Sequence, residues 1–455
     1  MVKNSVKTIL KTLKKRANDD WLIGYNSQEL YQLTLGLYQE LSQQEIPQKI
    51  LLVESNTVRF FAFFLAAVAA GCPVFLCNPH WGKQEWEQVI NLVQPNLIWG
   101  KINFTYQPNS QLKSINNNYQ IMIPTGGSSG KIRFAIHTWE TLIASVTGFT
   151  AYFGIKKVNS FCILPVYHVS GLMQFLRSFL TGGKLVIFPY KTLKNLTFPL
   201  TQEELTKITP PLSKREVNPQ DFFISLVPTQ LQYLLEKNTH WLSLFHTILL
   251  GGANSWQSLL NTARKAKIRL APSYGMTETA SMVVALKPED FLTGNNSSGQ
   301  VLPHAQVRIN QSGIVTIKAD SLCLGYYPEM NREEEFITDD LGVFDVNGYL
   351  TIIGRNSQKI ITGGENVFPA EIEAVILATG LVKDVCIIGL TDAKWGQVIT
   401  AVYVAKFPNI SEEEINSKIE HQLSKYKLPK YWVKLEKLPR NAQGKVNYEE
   451  LKKSL

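Results

Sequence analysis

Ile121-Met122-Ile123-Pro124-Thr125-Gly126-Gly127-Ser128-Ser129-Gly130-Lys131 is the stretch on which the reading turns. An apolar strand runs into three glycines and three hydroxyl residues, then a lysine. Glycines let a loop come close to an anion and adopt unusual dihedrals. Backbone N–H groups and hydroxyls then hold phosphate oxygens, and Lys131 and Arg133 add positive charge. The Walker A pattern does not fit. Its first glycine would fall at Thr125, and Ile132 follows Lys131 where Ser or Thr is required. Taken alone, the stretch reads as a phosphate loop or a polar surface turn.

The surroundings of that loop are α/β in texture. Ile50–Val53, Val74–Cys77, Phe161–Leu164, Lys184–Phe188, Phe222–Leu226 and Thr247–Leu250 are short, nearly continuous apolar runs, as expected of strands covered on both faces. Longer helical patterns alternate with them. One runs from Glu29 to about Leu41 with Ser27 as its cap, and another covers Phe60–Ala70. Residues 190–220 read as a surface excursion. From about 299 to 355 the pattern turns β-rich, with strands at Val307–Ile309, Ile314–Ile317 and Leu350–Ile353. The division expected is a large region, 1–355, and a small α+β unit, 356–455. In the second, helices are expected at Pro369–Ala378 and Glu412–Leu423, the latter opened by a Ser411/Glu414 capping box, with strands at Val382–Ile388 and Val398–Val404.

Composition narrows the function classes. With 455 residues, 45% hydrophobic and 18% charged, the chain fills substantial cores, and global disorder is excluded. Lys plus Arg is 46 against 37 for Asp plus Glu, a formal charge of +9. That balance suits nucleotides, polyphosphates or a membrane surface and, with no nucleic-acid module visible, does not argue for nucleic acid. Five scattered cysteines without a CxxC pair fit a reducing, cytoplasmic setting. The eleven residues of Phe60–Ala70 fall short of the ~20 needed to span a bilayer. At the basic N-terminus, Val6, Ile9, Leu10 and Leu13 share one helical face, read as a packed terminal helix, with weak membrane association as the alternative.

Four further segments carry chemistry. In Ser273-Tyr274-Gly275-Met276-Thr277-Glu278-Thr279 a short helix can begin near Thr277, Glu278 can ligate Mg2+, and Tyr274 can stack on a base. Thr338-Asp339-Asp340-Leu341-Gly342 and Gly354-Arg355 offer a carboxylate and a guanidinium to ribose or phosphate. Gly363-Gly364-Glu365-Asn366 is a glycine turn before a helix. Pro439-Arg440-Asn441-Ala442-Gln443-Gly444-Lys445 sets a lysine beside a glycine, able to reach a distant charge. Each has a bland alternative: a cap, a tight acidic turn, a surface arginine, a solvated lysine.

Their order and spacing decide what no one segment decides. From about Ser27 to Leu451 the chain resembles the adenylate-forming family of acyl- and aryl-CoA ligases. The resemblance implies layered α/β subdomains, a β-rich subdomain and a small mobile C-terminal domain. It implies ATP and Mg2+ as cofactors and coenzyme A as co-substrate. Thr125, Gly126, Gly127, Ser128, Ser129, Gly130 and Lys131 match the family's phosphate loop. Gly252, Tyr274, Gly275 and Thr277 match further nucleotide-binding positions, Asp340 and Arg355 the ribose pair, and Glu278 the metal ligand. Lys445 matches the catalytic lysine and Ser357 the pivot of the Arg355–Gln358 hinge.

Within the family the likeness is to members acting on o-succinylbenzoate, an aromatic dicarboxylate of menaquinone and phylloquinone synthesis. It rests on the Leu164–Gly171 stretch, Arg177 and Ser225–Leu231. His168, Arg177, Ser225 and Thr229 are the implied substrate residues, and His168 joins Glu278 and Lys445 as catalytic. Alternatives are another aryl or medium-chain acid, or a non-catalytic acyl-adenylate binder. Some positions depart from the family pattern. Gly126 stands where Ser is common, and Ile132-Arg133 replaces Pro-Lys. Asp339 fills a usual glycine slot and Gln358 a usual Asp slot.

Overall fold

The computed structural model describes residues 2–102, 120–126, 132–188, 190, 218–331, 333–392, 394–440 and 446–453, and, within these, no side chains for 2–7 and 449. The excursion expected at 190–220 falls almost wholly outside them.

Two α/β sheets form the body. In one, strands Leu97–Gly100, Ile50–Val53, Val74–Leu76 and Ile121–Gly126 run parallel in that order, and Ile132–His137 closes the edge antiparallel. In the other, Leu22–Ile23, Leu185–Ile187, Asn159–Cys162, Phe222–Leu226, Thr247–Leu250 and Leu270–Met276 run parallel, and Ser281–Ala285 and Gln300–Val301 continue antiparallel. Strands of this kind are buried on both faces, so the sequence shows them as apolar runs without alternation. The expected strand Phe161–Leu164 lies two residues earlier, because Asn159 and Ser160 pair in the ladder with Phe222 and Phe223.

Thr57–Ala69 is a helix buried from Phe60 to Val68 on every side. A helix apolar all round belongs inside, and this one fills the centre of the largest core. The Phe61 and Phe175 rings stack at 3.8 Å, joining it to the helix Val169–Thr181. The Ser27–Ser42 helix packs alongside. Its cap is Asn26 rather than Ser27: the Asn26 Oδ1 accepts from the N–H groups of Gln28 and Glu29 at 2.9 and 3.3 Å, a contact worth about 1 kcal/mol.

The N-terminal helix Val2–Arg16 packs on the body through Ile9, Leu13 and Arg16. Ile9 and Leu13 are in the core, and Arg16 is buried with its ring of donors on the far end of another helix. The Arg16 Nη1 donates to the carbonyls of Ser178 and Phe179 at 2.7 and 3.0 Å, and Nη2 to that of Gly183 at 2.5 Å. They add to the capping of the Val169–Thr181 helix, whose Ser178 carbonyl also accepts the backbone N–H groups of Gly182 and Gly183. Among the described residues, no helix is long and apolar enough to cross a membrane.

Ala305–Ile309, Ile314–Ala319, Phe336–Phe344 and Leu350–Arg355 form a four-stranded antiparallel sheet. A further sheet holds Glu365–Val367, Ile360–Thr362, Gly396–Ala405, Val382–Asp392 and Tyr431–Lys434, with helices Pro369–Ala378 and Glu412–Ile419 over its own core. Ser411 caps the second helix, its Oγ accepting from the Glu414 N–H, but that helix stops at Ile419, four residues before Leu423.

Candidate functional site

The segment Leu270–Met276 is the last parallel strand of its sheet and runs into a three-residue helical turn, Thr277–Thr279, where a short helix was expected. Gly275 is required there: a Cβ would stand 2.1 Å from the Ser281 carbonyl oxygen. Ala280 and Ser281 both have positive φ, 49° and 93°. Non-glycine residues in that region carry about 1–3 kcal/mol of strain each. The turn is held against it. The Ser145 Oγ donates to the Ala280 carbonyl at 2.7 Å, the Thr279 Oγ1 to that of Ser281 at 2.6 Å, and the Ser321 Oγ to that of Thr279 at 2.9 Å.

His137, absent from the sequence reading, fixes the turn from the other sheet. Its Nε2 lies 2.8 Å from the Thr277 carbonyl, which only accepts, so Nε2 carries the proton and Nδ1 faces the Thr141 hydroxyl at 3.0 Å. Complete burial draws the imidazole down to about 4, so it is neutral at pH 7.

Two carboxylates flank this turn, and each is gripped by a phenol. Glu278 is buried, and its Oε1 accepts from the Tyr326 hydroxyl at 2.7 Å. Asp340 is buried too. Its Oδ2 accepts from the Tyr274 hydroxyl at 2.8 Å, and its Oδ1 lies 3.2 Å from the Nε of Arg355. Asp340 and Arg355 are directly opposed in the antiparallel ladder, so strand register pairs them. Burial first, then the neighbouring carboxylates, push both phenols well above the usual tyrosine range, which keeps both as donors. The Tyr274 hydroxyl is engaged by Asp340, which leaves the faces of its ring for the base stacking expected of it.

Thr125 and Gly126 end the strand Ile121–Gly126, in register with Arg133 and Ile132. Gly127, Ser128, Ser129, Gly130 and Lys131 lie outside the described residues, as does Lys445. The residues flanking the lysine segment, Arg440 and Val446, pair as a bridge, and Arg440 grips Asp384 through Nε at 3.0 Å and Nη2 at 2.6 Å. Gly252 follows the strand Thr247–Leu250 with φ 81°. Ser357 sits in the turn Asn356–Gln358, where both its N–H and its hydroxyl donate to the Asp339 carboxylate.

The residues expected to meet the acyl substrate are less closely grouped. Arg177 is 2% exposed, so it is not the helix-surface arginine that its spacing also allowed. Its guanidinium lies 4.1 Å over the Phe149 ring, and Nη2 donates to the Ser281 hydroxyl at 3.1 Å. Among the described residues it has no carboxylate partner, and burial draws it down to about 9, still charged at pH 7. His168 is the N-cap residue of the same helix, buried against Tyr167. Nine residues of helix separate the two by about 13 Å and half a turn, so they do not address the same ligand atom. Ser225 is half-buried on its strand and Thr229 is exposed in the first turn of the helix Pro228–Ser243. Among the described residues, no hydrogen bond joins either to Arg177 or His168.

A metal fits here in one way. Among the described residues no three His, Cys, Asp or Glu side chains cluster. Glu278 has one oxygen on Tyr326 and no hydrogen bond on the other among the described residues. Mg2+ is commonly held by one or two carboxylates plus substrate phosphates and waters, which that donor set suits.

Family models match the chain twice: an AMP-binding enzyme over residues 105–327, and the AMP-binding enzyme C-terminal domain over 371–445. A 2-succinylbenzoate–CoA ligase of Listeria monocytogenes is 35% identical over 336 residues, covering 72% of this chain and 68% of the relative. The chain belongs to the AMP-binding enzyme family. A Bacillus cereus protein of the same description is 31% identical over 440 residues, 89% of this chain and 88% of that one. Among solved structures, the o-succinylbenzoate CoA synthetase of Bacillus subtilis in complex with its acyl-adenylate intermediate superposes with a TM-score of 0.81 at 23% identity, covering 97% of each chain. The ATP-bound MatB protein of Rhodopseudomonas palustris gives 0.78 at 20% identity, covering 98% of each. Those likenesses establish the adenylate-forming fold.

Proposed function

We propose that this protein is an AMP-forming o-succinylbenzoate–CoA ligase of menaquinone or phylloquinone synthesis. The observation that carries the substrate is Arg177: a charged guanidinium buried beside an aromatic ring and a hydroxyl, with no carboxylate partner among the described residues. Such a cation is costly to bury alone and is stabilised when a ligand anion arrives. A dicarboxylate spares one carboxyl for it while the other reacts. The names of the relatives agree.

A carboxylate is a poor electrophile toward a thiol, and the chemistry runs in two steps. The substrate carboxylate attacks the α-phosphorus of ATP and pyrophosphate leaves. The CoA thiol then attacks the acyl-adenylate and AMP leaves. The first nucleophile is already ionised, so no general base is needed. The phosphate loop from Thr125 to Lys131 binds the phosphates through N–H groups and hydroxyls, and Lys445 meets the charge developing between carboxylate and α-phosphate. Asp340 and Arg355 bind the ribose. Mg2+, held by Glu278, neutralises phosphate charge when bound. His168, Ser225 and Thr229 are the further residues proposed to meet the acyl substrate.

Residues 1–355 form the adenylation region and 356–455 a lid that carries Lys445 and turns at Ser357 between steps. The setting is the cytoplasm. Pyrophosphate release across a panel of acids, with and without CoA, tests the reading. The expected result is selective release with o-succinylbenzoate and a CoA-dependent thioester. Equal use of a monocarboxylate analogue would remove the substrate assignment, and ADP as product would remove the mechanism.

A further inference from the structure

Glu278 occupies a three-residue turn, too short to hold a long side chain by helix packing. Left to itself a glutamate samples many rotamers. Mg2+ demands near-ideal octahedral geometry and tolerates a misaimed ligand poorly. Something outside the turn therefore has to aim the carboxylate.

Tyr326 is placed for that. Its backbone is pinned on both sides, bridged to Ala135 and to Glu329, and its hydroxyl donates to the Glu278 Oε1 at 2.7 Å. A hydrogen bond to an ionised oxygen is short and directional, so it restricts the carboxylate through Oε1, while Oε2 has no hydrogen bond among the described residues. The main chain at Glu278 is tied to the same segment, its carbonyl accepting from the Cys323 N–H at 2.8 Å. On the face of the Tyr326 ring lies the guanidinium of Arg133, 4.4 Å from the centroid. Arg133 is in register with Thr125, the penultimate residue of the strand that leads into the phosphate loop. One ring thus touches the metal-ligand candidate at its hydroxyl and the phosphate-loop hairpin at its face.

We infer that Tyr326 is a positioning residue that aims the Glu278 carboxylate at the metal and sets it in register with the phosphate-loop strand. The inference rests on the assignment of Glu278 as the ligand of Mg2+. Outer-shell partners of metal ligands typically cost 10- to 100-fold in metal affinity when removed.

The test is calorimetric ATP binding without any acid, so that no turnover occurs, along a Mg2+ series and in EDTA. Three proteins are compared: wild type, Tyr326→Phe and Glu278→Gln. Phenylalanine keeps the ring and its contact with Arg133 and removes only the hydroxyl. For Tyr326→Phe the expected result is about a tenfold shift of the Mg2+ dependence to higher concentration. Its ATP affinity in EDTA and its melting temperature should stay near wild type. Glu278→Gln should shift the Mg2+ dependence at least as far. If Glu278→Gln shifts it and Tyr326→Phe does not, Tyr326 has no part in metal binding and only this inference falls. If Tyr326→Phe weakens ATP binding equally in Mg2+ and in EDTA, its role is structural and the inference falls again. If Glu278→Gln leaves the Mg2+ dependence unchanged, the assignment of Glu278 falls and takes the inference with it.

Discussion

The two ends of the site are built on opposite charge logic. On the side proposed for the nucleotide, Glu278 and Asp340 are buried carboxylates, each pinned at one oxygen by a phenol, Tyr326 and Tyr274. On the side proposed for the acyl group, Arg177 is a buried cation that has an aromatic face and a hydroxyl but no carboxylate among the described residues. A neutral donor satisfies a carboxylate without cancelling its charge, which leaves Glu278 able to bind a cation, whereas Asp340 is also met by the Arg355 guanidinium at 3.2 Å. A neutral acceptor does the same for the guanidinium, which stays ready for an anion. The turn from Thr277 to Ser281 joins the two, presenting Glu278 on one side and Ser281 on the other.

The largest effect should come from the residue that holds this joint. His137 is held down to about 4 against an ordinary value of 6.5. A base lowered by folding binds its proton first in the unfolded chain, so its contribution is fully present above pH 6.5 and is lost as pH falls toward 4. The loss should reach about 3 kcal/mol. Urea titrations at stepped pH give it as a slope, and His137→Gln should flatten that slope; an unchanged slope would place the acid sensitivity elsewhere.

Arg177→Ala probes the acyl end alone. A hydrogen bond to a charged group is typically worth about 1.5–3 kcal/mol, or roughly 10- to 150-fold in kcat/KM. The expected loss falls on o-succinylbenzoate and spares a monocarboxylate with the same ring and ketone. Kinetics of both acids on both proteins yield a double difference, and a value near zero would break the opposition of charge.

Tyr274→Phe is the counterpart at the nucleotide end. Releasing Asp340 from its phenol should raise the KM for ATP about tenfold, ~1.4 kcal/mol, with the KM for the acid unchanged. A rise in both would mean that the two ends are coupled through the turn.

The smallest effect is expected at the hinge. Asp339, which fills a usual glycine slot, accepts from both donors of Ser357 at an exposed position. Asp339→Gly should change the ratio of adenylation to thioesterification rates by a few-fold, in keeping with ~1 kcal/mol for exposed polar contacts. Single-turnover assays of each half-reaction measure it, and equal rates would remove Asp339 from the hinge.

Most of the fold was legible because parallel strands advertise themselves. Ile50–Val53, Phe222–Leu226 and Thr247–Leu250 appear in the sequence as apolar runs and in the structure with the same bounds. Helix ends were less legible. Asn26 and Ser27 are both good caps, and only backbone geometry chooses between them. The residues proposed for the nucleotide were visible as segments in order, while the partners of Glu278 and Asp340 were not. Tyr326 lies 48 residues from Glu278, and Tyr274 lies 66 from Asp340. His137 stands alone in its sequence neighbourhood, and nothing local marks it as the prop of Thr277.

The sequence by itself determined the element types, the α/β class and the chemistry available at each glycine-rich turn, because these depend on local backbone preference and on apolar periodicity. Tertiary structure alone decided which charges are buried and what they touch. Arg177 reads equally well as a surface or an interior residue until the Val169–Thr181 helix is packed against Phe149 and Ser281. Burial is set by what lies on the far side of an element, and that comes from distant parts of the chain. The same packing turns an ordinary guanidinium into a buried charge, which is costly unless it is paired.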